Sequence, residues 1–399
     1  MERLLERFLR YVRINTMSKE DMNQTPSTME QFDLAMLLKD ELIALGLKDA
    51  SVNEHCIVTA SLPSNCGSDL TIGFIAHLDT IPGFSGKNVN PQVIRNYDGK
   101  RVELKGISLD PVEFPFLESL KGKTLITTDG TTVLGADDKA GVATIMQMLE
   151  EIIENDTKHV NIKVAFTPDE EIGGGIDSFD VKSFGADYAY TVDGGTFNGI
   201  EYENFNASSA HIDIKGLDIH PGSAKGHMLN ASLIAMEFNS MLPVEQAPMY
   251  TEGYEGFYHL CEMKGEVGYA TLDYILRDHD LAKLNIKKEM LAKAAEFINN
   301  KYGSDVCTVT IKDSYLNMYE ILKNDTRSIT RAEEAIRSLG FEPFTSPIRG
   351  GTDGAKLTQM GLNTPNLGTG GYNCHGPYEC ACLEEMEIVK NILIAIASK

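Results

Sequence analysis

Several things are scarce in this 399-residue chain, and each scarcity excludes something. Long apolar runs are missing: the longest, such as ILIAIA at 392–397, fall far short of the ~20 residues that cross a bilayer, so no membrane span is expected. Basic residues are outnumbered, 36 against 58 acidic ones, for a formal net charge of -22. A surface of that sign repels phosphate backbones and anionic lipid, so neither nucleic acid nor membrane is an expected partner. Cysteine is sparse, seven residues with irregular spacing, which fits reduced thiols in a cytoplasmic protein better than a disulfide framework. Cys374, Cys380 and Cys382 lie near His375, but their spacing matches no paired zinc knuckle. Internal repeats and low-complexity tracts are absent. Tryptophan is missing too, although nothing functional follows from that, and the 16 methionines most often serve as core filler.

What is present is an alternation of helical and strand patterns, the mark of an α/β protein. MERLLERFLRYVRINT spaces its apolar residues as an amphipathic helix and lacks the uncharged core of a signal peptide. A helix is expected near 28–45, a strand near 70–76, and then a Gly/Asn/Pro-rich loop over 82–98. GADDKAG opens a further helix, with Asp137 and Asp138 in its first turn, where carboxylates suit the positive end of the helix dipole. From about 207 the pattern becomes strand AHIDIKG, a helix at 231–241, strand GYATLDYILRD, a helix at 281–301 and strand CTVTIKD. At 399 residues two domains are expected: a discontinuous one over 1–206 and 320–399, and an α/β insert over 207–319.

The chemistry gathers where apolar runs end. IGFIAHLDT delivers His77 and Asp79, KVAFTPDEE delivers Glu170 and Glu171, and YAYTVDGG delivers Asp193. In open α/β sheets ligands bind beyond the carboxyl ends of the strands, so these residues are expected to converge. With Asp137 and His375 of GGYNCHG they supply the imidazoles and carboxylates that two divalent ions about 3.5–4 Å apart require, including a carboxylate to bridge them. Three carboxylates against two such ions leave one positive charge, which favours a bridging hydroxide as nucleophile. Glu170 lies beside Glu171 and points differently, as a general base would. Asp79, two residues beyond His77, is expected to fix the imidazole tautomer. Singly, each motif has an ordinary reading: HLD a satisfied core histidine, DEE a solvated turn, ADDKAG an acidic helix start, VDGG a turn. It is their combination and order that reads as a metallohydrolase.

The ordered set HLD, GADDKAG, PDEE, TVDGG and GGYNCHG resembles the dizinc peptidase superfamily that includes the carboxypeptidase G, aminoacylase and peptidase T families, and most of all the last. PSTMEQ, SGKNVNPQ, EYENFNAS, HPGSAKG, TEGYEGFYHL and IRGGTDGA carry the likeness through most of the chain. The resemblance implies a dizinc catalytic domain, a mixed sheet flanked by helices, with a smaller α/β lid domain inserted. It implies two Zn2+ per subunit, with Asp137 bridging, His77 and Asp193 on one metal, and Glu171 and His375 on the other. It implies cleavage of the N-terminal bond of tripeptides with a free N-terminus, the alternatives being a dipeptidase or an N-acyl-amino-acid amidohydrolase. Aspartate at 193, where carboxypeptidase-like and deacylase members carry glutamate, favours an aminopeptidase or a dipeptidase. The lid is where the resemblance would put a homodimer interface. His220 in HPGSAKG is implied as a lid residue reaching the scissile carbonyl oxygen, although the residues alone suggest a turn histidine before Pro221. Arg277 and Arg349 are candidate clamps for a peptide carboxylate, since a guanidinium matches it in a bidentate fork; either could equally be structural.

Overall fold

The computed structural model describes residues 1–398. They form two units: one of Met1–Tyr202, Ile321–Ser346 and the chain from Thr352, the other of Glu203–Glu320 and Pro347–Gly351.

The first unit is built on a seven-stranded mixed sheet in the order Ser51–Val52, Val58–Leu62, Asn161–Thr167, Thr71–His77, Tyr188–Gly194, Asn366–Gly368, Ile200–Glu201. The strand Thr71–His77 pairs in parallel with both Asn161–Thr167 and Tyr188–Gly194. These three strands are apolar nearly throughout because both faces of the sheet are covered. Phe74, Ile75, Val164, Phe166, Tyr190 and Val192 are all buried. One face packs against Ala136–Glu154, a helix with fourteen buried residues, and the core there is completed by Glu2–Val12 and Leu383–Ala397. Gly141 allows the closest approach. A Cβ at that position would lie 2.0 Å from the Val192 carbonyl oxygen and 2.4 Å from Asp138 Oδ1.

The segment read as a loop over 82–98 contains a strand, Gln92–Ile94. It joins Leu125–Thr127, Cys380–Cys382 and Gly371–Tyr372 in a second, four-stranded sheet. This sheet has its own apolar cluster around Tyr97, Leu109, Leu117 and Leu120, with Phe116 stacked on Tyr372 at 4.5 Å. The strands are only two or three residues long, too short for alternation to show in a sequence.

The second unit is a four-stranded antiparallel sheet in the order Phe257–Gly265, Tyr269–Asp278, Asn206–Lys215, Cys307–Tyr315. The helices Ala231–Ser240 and Leu281–Tyr302 cover one face and enclose Ile212, Ile214, Leu272, Leu276, Phe238 and Leu291. Three of the strands and both helices lie where the sequence places them. The edge strand Phe257–Gly265 was not expected: after two buried residues its side chains run exposed or half-buried, so it carries no apolar alternation.

Among the described residues no helix is long and apolar enough to cross a membrane. All seven cysteines are free thiols.

Candidate metal centre

Three parallel strands end side by side, and their ends carry the chemistry. His77 closes its own strand, Glu170 and Glu171 follow Thr167 in a short turn, and Asp193 lies at the end of Tyr188–Gly194. Ligand atoms of His77, Asp137 and Glu171 lie within 4.8 Å of one another, as do those of His77, Glu170 and Asp193. His375 joins them from the other side, its Nε2 3.0 Å from both Asp137 Oδ2 and Glu171 Oε2. His77 Nε2 lies 2.9 Å from Asp137 Oδ1 and 3.5 Å from Asp193 Oδ1. Asp137 thus offers one oxygen to each histidine, the arrangement a carboxylate shared between two metals would need.

Several of these residues are held by hydrogen bonds that involve the backbone. The Nδ1 of His77 donates toward Asp79, 3.1 Å from its carbonyl oxygen and 3.3 Å from its carboxylate, which leaves Nε2 to face the cluster. The Asp79 carboxylate also accepts the N–H groups of Glu170 at 2.9 Å and Glu171 at 3.3 Å, so one fully buried side chain orients a histidine and caps the glutamate turn. That turn is tied on its far side by Asp169. Its carboxylate accepts from the Ser27 N–H and hydroxyl, both at 2.6 Å, and from the Gln31 amide at 2.7 Å.

Asp137 and Asp138 differ from the expected first helical turn. Both have non-helical backbone angles, φ/ψ -84°/102° and -119°/33°. Asp138 serves instead as a cap: one oxygen accepts the Gly141 N–H at 3.1 Å and the other the His77 N–H at 3.2 Å. Asp137 is thereby turned out of the helix toward the two histidines.

The electrostatics show a site short of positive charge. Burial, with Asp193 close by, pushes the Glu170 carboxyl well above the usual range. Burial pushes Asp193 up to about 7 and Asp353 to about 6. Burial would raise Asp137 as well, but hydrogen bonds from His375 and His77 hold it well below the usual carboxylate range. His375, bonded to Asp137 and Glu171, is raised to about 10. Burial works against the charged form of His77, yet Asp193 and Asp137 raise it well above its ordinary value. Among the described residues no lysine or arginine pairs with Asp137, Glu170, Glu171 or Asp193; the imidazoles pair with Asp137, Glu171 and Asp193. Divalent cations would supply the missing charge and leave both imidazoles neutral, as ligands must be. The donor set, two imidazoles with carboxylates, suits zinc.

Two contributors have weak sequence signals. Asp353, buried at the start of the helix Asp353–Gln359, accepts a hydrogen bond from the Thr167 hydroxyl at 3.0 Å, where the glutamate-bearing strand ends. It shares the IRGGTDG segment with Arg349, but only the fold brings it to Thr167. Glu379 sits beyond His375 and binds the turn that carries Asp137. Beside Glu171 opens a cleft lined by Glu20, Asp21, Glu54, Asp169 and Asp177, with no lysine or arginine in its lining.

His220, Arg277 and Arg349 belong to the second unit. His220 is exposed in a turn, its Nδ1 accepting the Gly222 N–H at 3.1 Å. Arg277 Nη1 donates to the Leu276 carbonyl at 3.0 Å, and its guanidinium lies 5.3 Å from the centre of the Tyr315 ring. Among the described residues no carboxylate pairs with it. Arg349 is engaged differently. It donates to the carbonyl oxygens of Gly253 and Glu255 at 2.8 and 2.9 Å and to the Thr251 hydroxyl at 2.8 Å, over the rings of Phe205 and Phe257. It organises the 251–255 loop.

A model of peptidase family M20/M25/M40 matches residues 133–399. Over 403 residues the chain is 50% identical to the peptidase T of Alkaliphilus oremlandii, covering 99% of this chain and 98% of that one. The chain belongs to peptidase family M20/M25/M40, in its peptidase T group. The peptidase T of Bacillus subtilis is 49% identical, covering 100% of this chain and 98% of the relative. Among solved structures, an aminopeptidase PepT from Bacillus cereus matches with TM-score 0.80 at 20% identity, covering 99% of this chain and 97% of that one. A tripeptidase from Staphylococcus aureus matches with TM-score 0.80 at 22% identity and the same coverage. A Bacillus subtilis member described as a dinuclear metal-binding peptidase matches with TM-score 0.65 at 14% identity, covering 99% and 97%. As an M20/M25/M40 peptidase the chain is a hydrolase acting on peptide bonds, and it carries a candidate metal site.

Proposed function

We propose that this chain is a zinc-dependent tripeptide aminopeptidase, releasing the N-terminal residue of short peptides. The observation that carries the reading is the division of the two Asp137 oxygens between His77 and His375, with Glu170 alongside. Asp137 would be shared by two zinc ions, His77 and Asp193 would hold one, and Glu171 and His375 the other. When bound, the pair supplies Lewis-acid polarisation of the scissile carbonyl and lowers the pKa of water to near 7.

The chain's own groups do the rest. Glu170, held in place through its N–H by Asp79, accepts the proton of the attacking water and returns it to the leaving amine. Asp79 keeps the His77 imidazole in one tautomer. The acid-lined cleft beside Glu171 suits a substrate with a free α-ammonium group, which argues against N-acylated substrates. Arg277, without a carboxylate partner, is the better candidate for the peptide carboxylate, and His220 is assigned to the scissile carbonyl oxygen. A cytoplasmic setting and a homodimer belong to the same reading.

The test compares an unblocked tripeptide with its N-acetylated twin, using protein stripped of metal and reloaded with zinc. Zinc-restored release of the N-terminal residue from the unblocked peptide alone is expected. Cleavage of only the acetylated twin would make the chain a deacylase.

A further inference from the structure

We propose that Glu379 is a positioning residue for the metal centre: its carboxylate fixes the turn that carries Asp137 and locks that turn to the loop that carries His375. The inference rests on Asp137 being a metal ligand.

Glu379 is 1% exposed. One of its oxygens accepts the N–H groups of Leu134 at 2.7 Å and Gly135 at 2.8 Å, and the other accepts the N–H of Asp137 at 3.0 Å. These N–H groups precede the helix Ala136–Glu154 or sit in its distorted entrance, where no backbone carbonyl is placed to receive them. Gly135, at φ +78°, bends the chain so that they face a single acceptor. On its own side Glu379 is held within the His375 loop, its N–H donating to the Gly376 carbonyl at 3.2 Å. The strand Cys380–Cys382 follows directly and pairs with Leu125–Thr127 and Gly371–Tyr372. One side chain therefore sets the distance between the two loops whose residues, Asp137 and His375, meet at 3.0 Å.

The choice of residue points to the metal rather than to the fold alone. Burying another carboxylate beside Asp137 is unfavourable for the protein without cations. A neutral acceptor could satisfy part of this turn at less electrostatic cost. Only a carboxylate offers acceptors to all three N–H groups, and bound cations would add to the buried Lys139 ammonium in favouring its charge.

The test measures zinc affinity by competition with a chromophoric chelator, on stripped wild-type, Glu379→Gln and Glu379→Asp proteins whose folding is checked by circular dichroism. Glutamine keeps the shape but presents N–H donors where one acceptor was, so Glu379→Gln is expected to bind zinc roughly 10–100-fold more weakly while remaining folded. Aspartate keeps the charge but is one methylene too short to reach all three N–H groups of the turn, so a smaller loss is expected there. Wild-type zinc affinity in a folded Glu379→Gln protein would overturn the proposal. Should that variant not fold, Glu379→Asp decides: weakened zinc binding supports the proposal and unchanged binding overturns it. Failure of both to fold would also overturn it, because Glu379 would then serve the fold. Folded wild-type protein that takes up no zinc would instead sink the metal reading itself.

Discussion

Glu170 and Asp137 are adjacent in space but have separable duties, and substitution should part them. Glu170→Gln removes the proton carrier and leaves the other donors in place. It is expected to lower kcat by about 10²–10⁴-fold with zinc content unchanged, checked by steady-state kinetics beside metal analysis. Near-normal turnover in a zinc-loaded variant would contradict the role. The two arginines separate in the same way. Arg349→Ala deletes hydrogen bonds to three residues of the 251–255 loop and is expected to cost roughly 1–3 kcal/mol in thermal or denaturant unfolding. Arg277→Ala is expected to raise KM for tripeptides with little change in stability, read from kinetics and melting together. His77, Glu170, Glu171 and Asp193 stood out in the sequence because each follows an apolar run, whereas Asp137 and His375 stood out only as parts of the ordered motif set. Glu379 and Asp353 did not, because a lone acid in a loop or at the start of a short helix gives no sign that it will meet a backbone turn more than two hundred residues away or a hydroxyl at another strand's end. The opposite happened with Arg349: a plausible clamp by residue type, it proves to donate to loop carbonyls.

At the scale of elements, the centre depends on how closely the helix Ala136–Glu154 meets the sheet. Gly141 is the point of contact, and a methyl there cannot avoid the Val192 carbonyl one residue before Asp193. Gly141→Ala is expected to destabilise the protein by at least about 1–3 kcal/mol through overpacking and to weaken zinc binding by shifting Asp138 and Asp193. A variant with unchanged melting temperature and zinc affinity would show that the helix has room to move. The parallel strands were readable because they are buried on both faces and so appear as continuous apolar runs. The short sheet around Gln92–Ile94 and the edge strand Phe257–Gly265 were not, for opposite reasons. The first consists of strands too brief to show a period, and the second is too exposed to show an apolar one. The helix entrance at Asp137 lies where the sequence puts it, but its non-helical backbone was not legible, because a first-turn carboxylate and a cap that breaks the helix have the same sequence signature.

For the whole molecule, the acidic excess seen in composition has a focus: several buried carboxylates converge on two histidines, and among the described residues no lysine or arginine pairs with them. Removing metal should therefore do more than stop turnover. Protein in chelator is expected to melt at lower temperature than protein in excess zinc. Free zinc at 1,000 times Kd stabilises by about 4 kcal/mol for one site, provided the unfolded chain binds none. Melting that ignores zinc would contradict the view that the cluster is a cation site. The central claim is that Asp137 is shared between two metals, and an anomalous-scattering map of zinc-loaded crystals tests it most directly. The account predicts two peaks flanking the Asp137 carboxylate, one against His77 and Asp193, the other against Glu171 and His375. A single peak, or two peaks that do not share Asp137, would contradict it.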